Sequence, residues 1–95
     1  MSPSPGEISK QAHAWVAAGG LLLDVRTREE FTQGHLEGAL NIPVQELPRR
    51  IADVGPKTRK VVCYCASGMR SASAQKLLGQ AGFPEVMNLG PMSAW

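Results

Sequence analysis

The sequence predicts an α/β domain: a central, mostly parallel sheet of four to five short strands with helices on both faces. Three observations carry this. Short apolar runs at 21–25, 39–42, 61–65 and 85–89 alternate with segments of helical spacing, and strand–helix–strand order builds parallel sheets. The runs at 21–25 and 61–65 are apolar at nearly every position, as in strands buried on both faces. Glycines at Gly19-Gly20, Gly34, Gly55 and Gly82 punctuate the changes.

The elements follow in order. Ile8, Ala12, Trp15 and Val16 share a helical face, which predicts a helix over 8–18 capped by Ser9 and stopped by Gly19-Gly20. Residues 1–7, with three of the chain's prolines and glycines among them, read as a flexible lead-in, and 8–95 as a single domain. Thr27 caps a short helix over 28–33, closed by Gly34. The strand at 39–42 ends at Pro43. Pro48 suits a first helical turn, and Leu47, Ile51 and Val54 share a face, so a helix is expected near 48–53 with Gly55-Pro56 ending it. The strand at 61–65 leads to a helix over 71–80 with Leu77, Leu78 and Ala81 inward. A last strand covers 85–89, and 92–95 reads as the start of a further helix.

Composition narrows the function. Ninety-five residues with 43% apolar and 19% charged content fit one soluble domain with its own core. The net charge of +2 is too weak to argue for nucleic acid, and the basic cluster Arg49, Arg50, Lys57, Arg59 and Lys60 reads as a solvated surface. The N-terminus lacks a basic segment followed by an apolar core, and no apolar run reaches membrane-spanning length. A cytoplasmic monomer, bound to no membrane, is the expectation. Two residues apart on one strand, Cys63 and Cys65 face the same way with Cα atoms roughly 6.6 Å apart, at the limit for a bridge. Both are therefore expected as free thiols. Two histidines and two cysteines without ligand spacing give no metal site.

The run Cys65-Ala66-Ser67-Gly68-Met69-Arg70-Ser71 is the candidate site. It sets a cysteine at a strand end, then small residues, then a helix start. Amides at a helix N-terminus lack intrahelical acceptors and carry partial positive charge, so they bind anions and depress a neighbouring thiol pKa. The expectation is a solvent-facing Cys65 thiolate as nucleophile, with Ala66, Ser67, Gly68, Met69, Arg70 and Ser71 as the substrate cradle. Gly68 lets the loop curl. Arg70 either points inward to bind an anion or pairs with Asp24 or Glu30. Met69 lines the mouth or stands exposed. Ser71 donates its hydroxyl, caps the helix, or does both. Cys63 reads as core, His35 as a turn-stabilising group or a base, His13 as exposed, and Trp15 and Trp95 as packing.

The whole pattern resembles a single-domain rhodanese, a sulfurtransferase module. The resemblance rests on Leu22-Leu23-Asp24-Val25-Arg26, on Glu29-Glu30-Phe31 followed by Gly34-His35-Leu36-Glu37-Gly38-Ala39-Leu40-Asn41-Ile42-Pro43, on 61–71, on Ala81-Gly82-Phe83 with Val86, and on Leu89-Gly90 with Met92-Ser93-Ala94-Trp95. Two departures stand out. Pro91 replaces a second glycine, and the chain stops at Trp95 where the family continues into one more helix. The resemblance implies a rhodanese-like fold and a sulfurtransferase without cofactor. It moves sulfane sulfur from an anionic donor such as thiosulfate to cyanide, a thiol or an acceptor protein, through a Cys65 persulfide. Two alternatives remain: a sulfur-carrier or interaction module that receives persulfide from a partner, and a phosphatase or arsenate reductase. The four residues between Cys65 and Arg70 make a smaller cradle than the five of related phosphatases.

Overall fold

The structure is a computed structural model and describes residues 4–95. Its elements are α1 (Pro5–Ala17), β1 (Leu21–Asp24), α2 (Arg28–Thr32), β2 (Leu40–Asn41), a 3-10 turn (Leu47–Arg49), α3 (Ile51–Val54), β3 (Val61–Cys65), α4 (Met69–Gln80), β4 (Val86–Pro91) and a closing 3-10 turn (Met92–Ala94). The four strands form one parallel sheet in the order β2-β1-β3-β4. The crossovers carry the helices, so all strand ends that matter for a ligand, Asp24, Asn41, Cys65 and Pro91, fall along one edge of the sheet.

Alternation along the strands fills two cores. Leu21, Leu23, Val61, Cys63 and Cys65 face one side with Val54, Ala74, Leu78 and Phe83, under α3 and α4. Leu22, Val62 and Tyr64 face the other with Ala12 and Leu89, under α1 and the closing turn. Both central strands are buried along their whole length, so each fully buried leucine contributes about 2 kcal/mol from apolar area alone.

Four expectations need correction. Of the expected lead-in, residues 1–3 lie outside the described residues, and the rest is structured. Ser4 caps α1 by accepting from the Glu7 amide, and Pro5 and Gly6 form the first turn. Proline belongs there, because its missing N–H is one that a first turn leaves unpaired anyway. Ser9 is therefore inside the helix, where its hydroxyl donates to the Trp95 carbonyl instead of capping. The helix expected near 48–53 divides into a 3-10 turn and the single turn of α3, with Leu47 and Val54 buried. Finally, α4 begins at Met69 rather than Ser71.

The remaining sequence landmarks fall into structural roles. Thr27 and Glu30 form a reciprocal capping box on α2. The basic cluster disperses into local pairs: Arg50 with Glu46 and Asp53, Lys60 with Glu85, and Arg59 on the carbonyls of Gly19 and Val54. His13 stacks on Trp95 at 3.7 Å and donates from Nε2 to its carbonyl, tying the last residue to α1. Among the described residues no helix is long and apolar enough to cross a membrane.

Candidate active site

Cys65 is the last residue of β3, and α4 begins four residues later. The turn between them depends on Gly68. Its φ is 97°, a region that side chains disfavour, and a Cβ there would stand 3.3 Å from the Cα of Gly90. This lets Gly68 serve as the N-cap of α4 with no capping side chain, which moves the helix start ahead of Ser71. Ser71 lands in the first turn instead, facing inward and fully buried.

The curled turn wraps the sulfur. The Gly68 amide donates to Cys65 Sγ at 2.9 Å, and Ser71 Oγ lies 3.4 Å from it. Burial pushes the Cys65 thiol up, but the Ser71 hydroxyl and the amides of Ser71, Gly68 and Ser67 outweigh it. The thiol is held down from 9.0 to about 7. Those amides are the unpaired donors of a helix N-terminus, and their partial positive charge favours the anion.

The structure corrects one expectation about this group. Cys65 does not face solvent: its exposure is 0%. Ala66, Ser67 and Met69 are exposed, Met69 at 77%, and the turn closes over the sulfur from above. The cover is thin. The sulfur sits at the strand end, next to exposed loop residues and not at the centre of the core. Of the predicted site residues, then, Cys65, Gly68 and Ser71 are brought into contact. Ala66, Ser67 and Met69 are exposed in the turn beside them.

Arg70 is turned aside. Its guanidinium binds Glu30 on α2 through two bonds of 2.6 and 3.0 Å, the bracing arrangement of the two weighed from the sequence. Bonding to Arg70, with help from the Thr27 amide and hydroxyl, holds the Glu30 carboxyl down at about 2, and the same pair raises the Arg70 pKa. Both partners are a third exposed, so the pair orients the loop more than it stabilises the fold. Asp24 holds a different arginine. It is fully buried and takes four bonds from Arg26, whose guanidinium also reaches the Gly34 carbonyl and lies 5.6 Å from the Tyr64 ring centre. This pair fixes the segment after β1 and touches no reacting group.

Cys63 lies beneath, with its thiol donating to the carbonyls of Ser71 and Met87 at 3.4 and 3.3 Å. Burial pushes it up to about 12. Both cysteines are free. His35 is exposed, stacks on Phe31 at 3.6 Å, and donates from Nδ1 to the Phe31 carbonyl, which is the turn-stabilising role. One residue escaped the sequence reading. Asn88 of β4 accepts from Ser71 Oγ at 2.6 Å and from the Gly90 amide at 2.9 Å, and donates to the Gly68 carbonyl at 3.3 Å. Its sequence signal is faint: an amide residue in an apolar strand, two places before a glycine.

The chain is similar in sequence and fold to known proteins. Residues 5–95 match the Rhodanese-like domain family. A sulfurtransferase of Allochromatium vinosum is 45% identical over 76 residues, which cover 79% of this chain and 70% of that protein. Thiosulfate sulfurtransferase PspE of Escherichia coli is 41% identical over 69 residues, covering 72% of this chain and 66% of that protein. The solved structure of the human single-domain sulfurtransferase TSTD1 aligns with a TM-score of 0.77 at 29% identity, over 90% of this chain and 87% of that one.

Proposed function

This chain belongs to the rhodanese-like domain family and is a sulfurtransferase, and from that premise we propose that it carries sulfane sulfur on Cys65 between an anionic donor and a thiophilic acceptor. Thiosulfate is the donor class proposed, with cyanide, a thiol or an acceptor protein taking the sulfur. The Cys65 thiolate attacks the outer sulfur of thiosulfate. A sulfur–sulfur bond forms to Cys65, the bond to the inner sulfur breaks, and its electron pair leaves with sulfite. The resulting persulfide is attacked at its outer sulfur by the acceptor, and Cys65 departs as thiolate. Sulfite and a thiolate are both stable leaving anions, so neither step needs a strong general acid.

One observation supports this reading above the others: a thiol held at about 7 by a ring of amides and a hydroxyl. Such a group is about half ionised at neutral pH, and the same amides suit the sulfonate oxygens of the donor. In this scheme Ala66, Ser67, Gly68, Met69 and Ser71 form the anion cradle, and Arg70 shapes it from outside while bound to Glu30. A phosphoryl-transfer loop uses its arginine on the phosphate, and here that arginine is engaged. Because Cys65 is covered, the cycle requires the turn at 66–68 to lift before the donor reaches Sγ.

Mass spectrometry after incubation with thiosulfate, followed by cyanide, tests the scheme. One added sulfur on Cys65, discharged as thiocyanate, is expected. Sulfur mapping to Cys63, or phosphate-ester hydrolysis without thiocyanate, would overturn it.

A further inference from the structure

We propose that Asn88 is a positioning residue for Cys65: its amide oxygen competes for the single hydroxyl proton of Ser71 and so governs whether Ser71 can serve the sulfur. The inference rests on Cys65 as the sulfur-carrying nucleophile, but its test reads the thiol itself and not the transfer.

The donor and acceptor inventory forces the direction of the bonds. Asn88 Oδ1 faces the Gly90 amide at 2.9 Å, and an amide can only donate. Asn88 Nδ2 faces the Gly68 carbonyl at 3.3 Å, which can only accept. The orientation of the Asn88 amide is therefore fixed. Ser71 Oγ, 2.6 Å from Oδ1, must donate to it. Serine has one proton, so in this arrangement its oxygen can only accept from Cys65 at 3.4 Å. A relay results: thiol to Ser71, Ser71 to Asn88. The amides serve the thiolate directly, but Ser71 donates to it only when its proton rotates from Asn88 toward the sulfur.

The placement of Asn88 comes from an irregularity in β4. Cys63 pairs with Asn88 and Tyr64 with Gly90, so Leu89 is an extra residue opposite the strand that carries the nucleophile. Bulges of this kind re-aim side chains near active sites. Asn88 closes it through the Gly90 amide and reaches across to Gly68, whose own amide holds the sulfur. No ionisable side chain lies on β4. The charged or titratable groups on the elements around Cys65 are Cys63 and Tyr64 on β3, Arg70 and the exposed Lys76 on α4, Glu30 with the exposed Arg28 and Glu29 on α2, and Asp24 with Arg26 at the end of β1. Asn88 bonds to none of them, so its influence is separable from theirs.

The test is a titration of the ultraviolet thiolate absorbance in the intact chain, for Asn88→Ala, Ser71→Ala and the double variant. Removing Asn88 frees the Ser71 proton for the sulfur, so the Cys65 pKa should fall by about half a unit or more. Removing Ser71 should raise it by about one unit. In the Ser71→Ala background, Asn88→Ala should shift nothing. A rise in Asn88→Ala, no shift at all, or the same shift with and without Ser71 would each overturn the proposal. If Asn88→Ala does not fold, the near-isosteric Asn88→Asp serves. It grips the proton more firmly, so the pKa should rise, and at least half of the rise should vanish in Ser71→Ala; an undiminished rise would overturn the proposal. Loss of sulfur transfer with these shifts intact would count against the proposed function alone.

Discussion

Cys63 and Cys65 sit on one strand and on one face, two residues apart, and both are fully buried. One thiol is pushed up to about 12 and the other held down at about 7. Burial acts on both in the same direction. What separates them is the partner set. Cys63 meets carbonyl oxygens, which accept its proton and repel a negative charge. Cys65 meets amides and a hydroxyl that can donate to a thiolate. A nucleophile here is therefore made by where β3 stops, because one step beyond the ladder the free donors are those of a helix start.

The largest expected effect comes from removing the favoured sulfur. Cys65→Ser should lower thiosulfate-to-cyanide transfer by about a thousandfold or more, because a serine hydroxyl stays protonated and holds no sulfane sulfur. Circular dichroism should show an unchanged fold. In the parent the thiolate fraction should rise with pH through about 7, and transfer should follow the same curve to a plateau. A flat profile across that range would erase the contrast between the two cysteines.

Gly68→Ala attacks the source of the contrast. An added Cβ at φ 97° strains the backbone by about 1–2 kcal/mol and crowds Gly90. The amide at 2.9 Å should move off the sulfur, so the Cys65 pKa should rise by about one unit along with a fall in Tm. An unchanged thiol titration in a folded variant would show that this amide does not matter. The smallest effect belongs to Cys63→Ser. Its partners accept an O–H as well as an S–H, so stability should drop by about 1 kcal/mol, read by denaturant titration, while transfer changes less than about twofold.

Legibility from sequence followed the range of the interactions involved. The bounds of β3 were readable to the residue, because five consecutive apolar positions need both faces covered. The capping box on α2 was readable in part, since Thr27 and its partner lie three residues apart. The start of α1 is hidden because prolines and a glycine read as loop composition, whereas Ser4-Pro5 is a cap followed by a first turn. The curl at Gly68 was readable, but the sequence places the start of α4 at Ser71, whereas the positive φ of Gly68 makes it the N-cap and begins the helix at Met69. Neither the cover over Cys65 nor the part played by Asn88 was readable. The first depends on the turn folding its Gly68 amide onto the sulfur, and the second on β4 docking beside β3 with an extra residue, which brings Asn88 to a loop twenty positions away.

The two margins of the sheet carry a consequence for how copies of the chain meet. An open strand edge is a template on which a second molecule can extend the ladder. On one side β2 is only two residues long. On the other, β4 has its Val86 carbonyl occupied by the Gln75 side chain, its Gly90 N–H taken by Asn88, and at Pro91 no N–H to give. A neighbour arriving edge-on finds those positions already satisfied. Crowded solutions should therefore resist strand-to-strand stacking, and the residue that steers the thiol also helps keep the fold from templating aggregates.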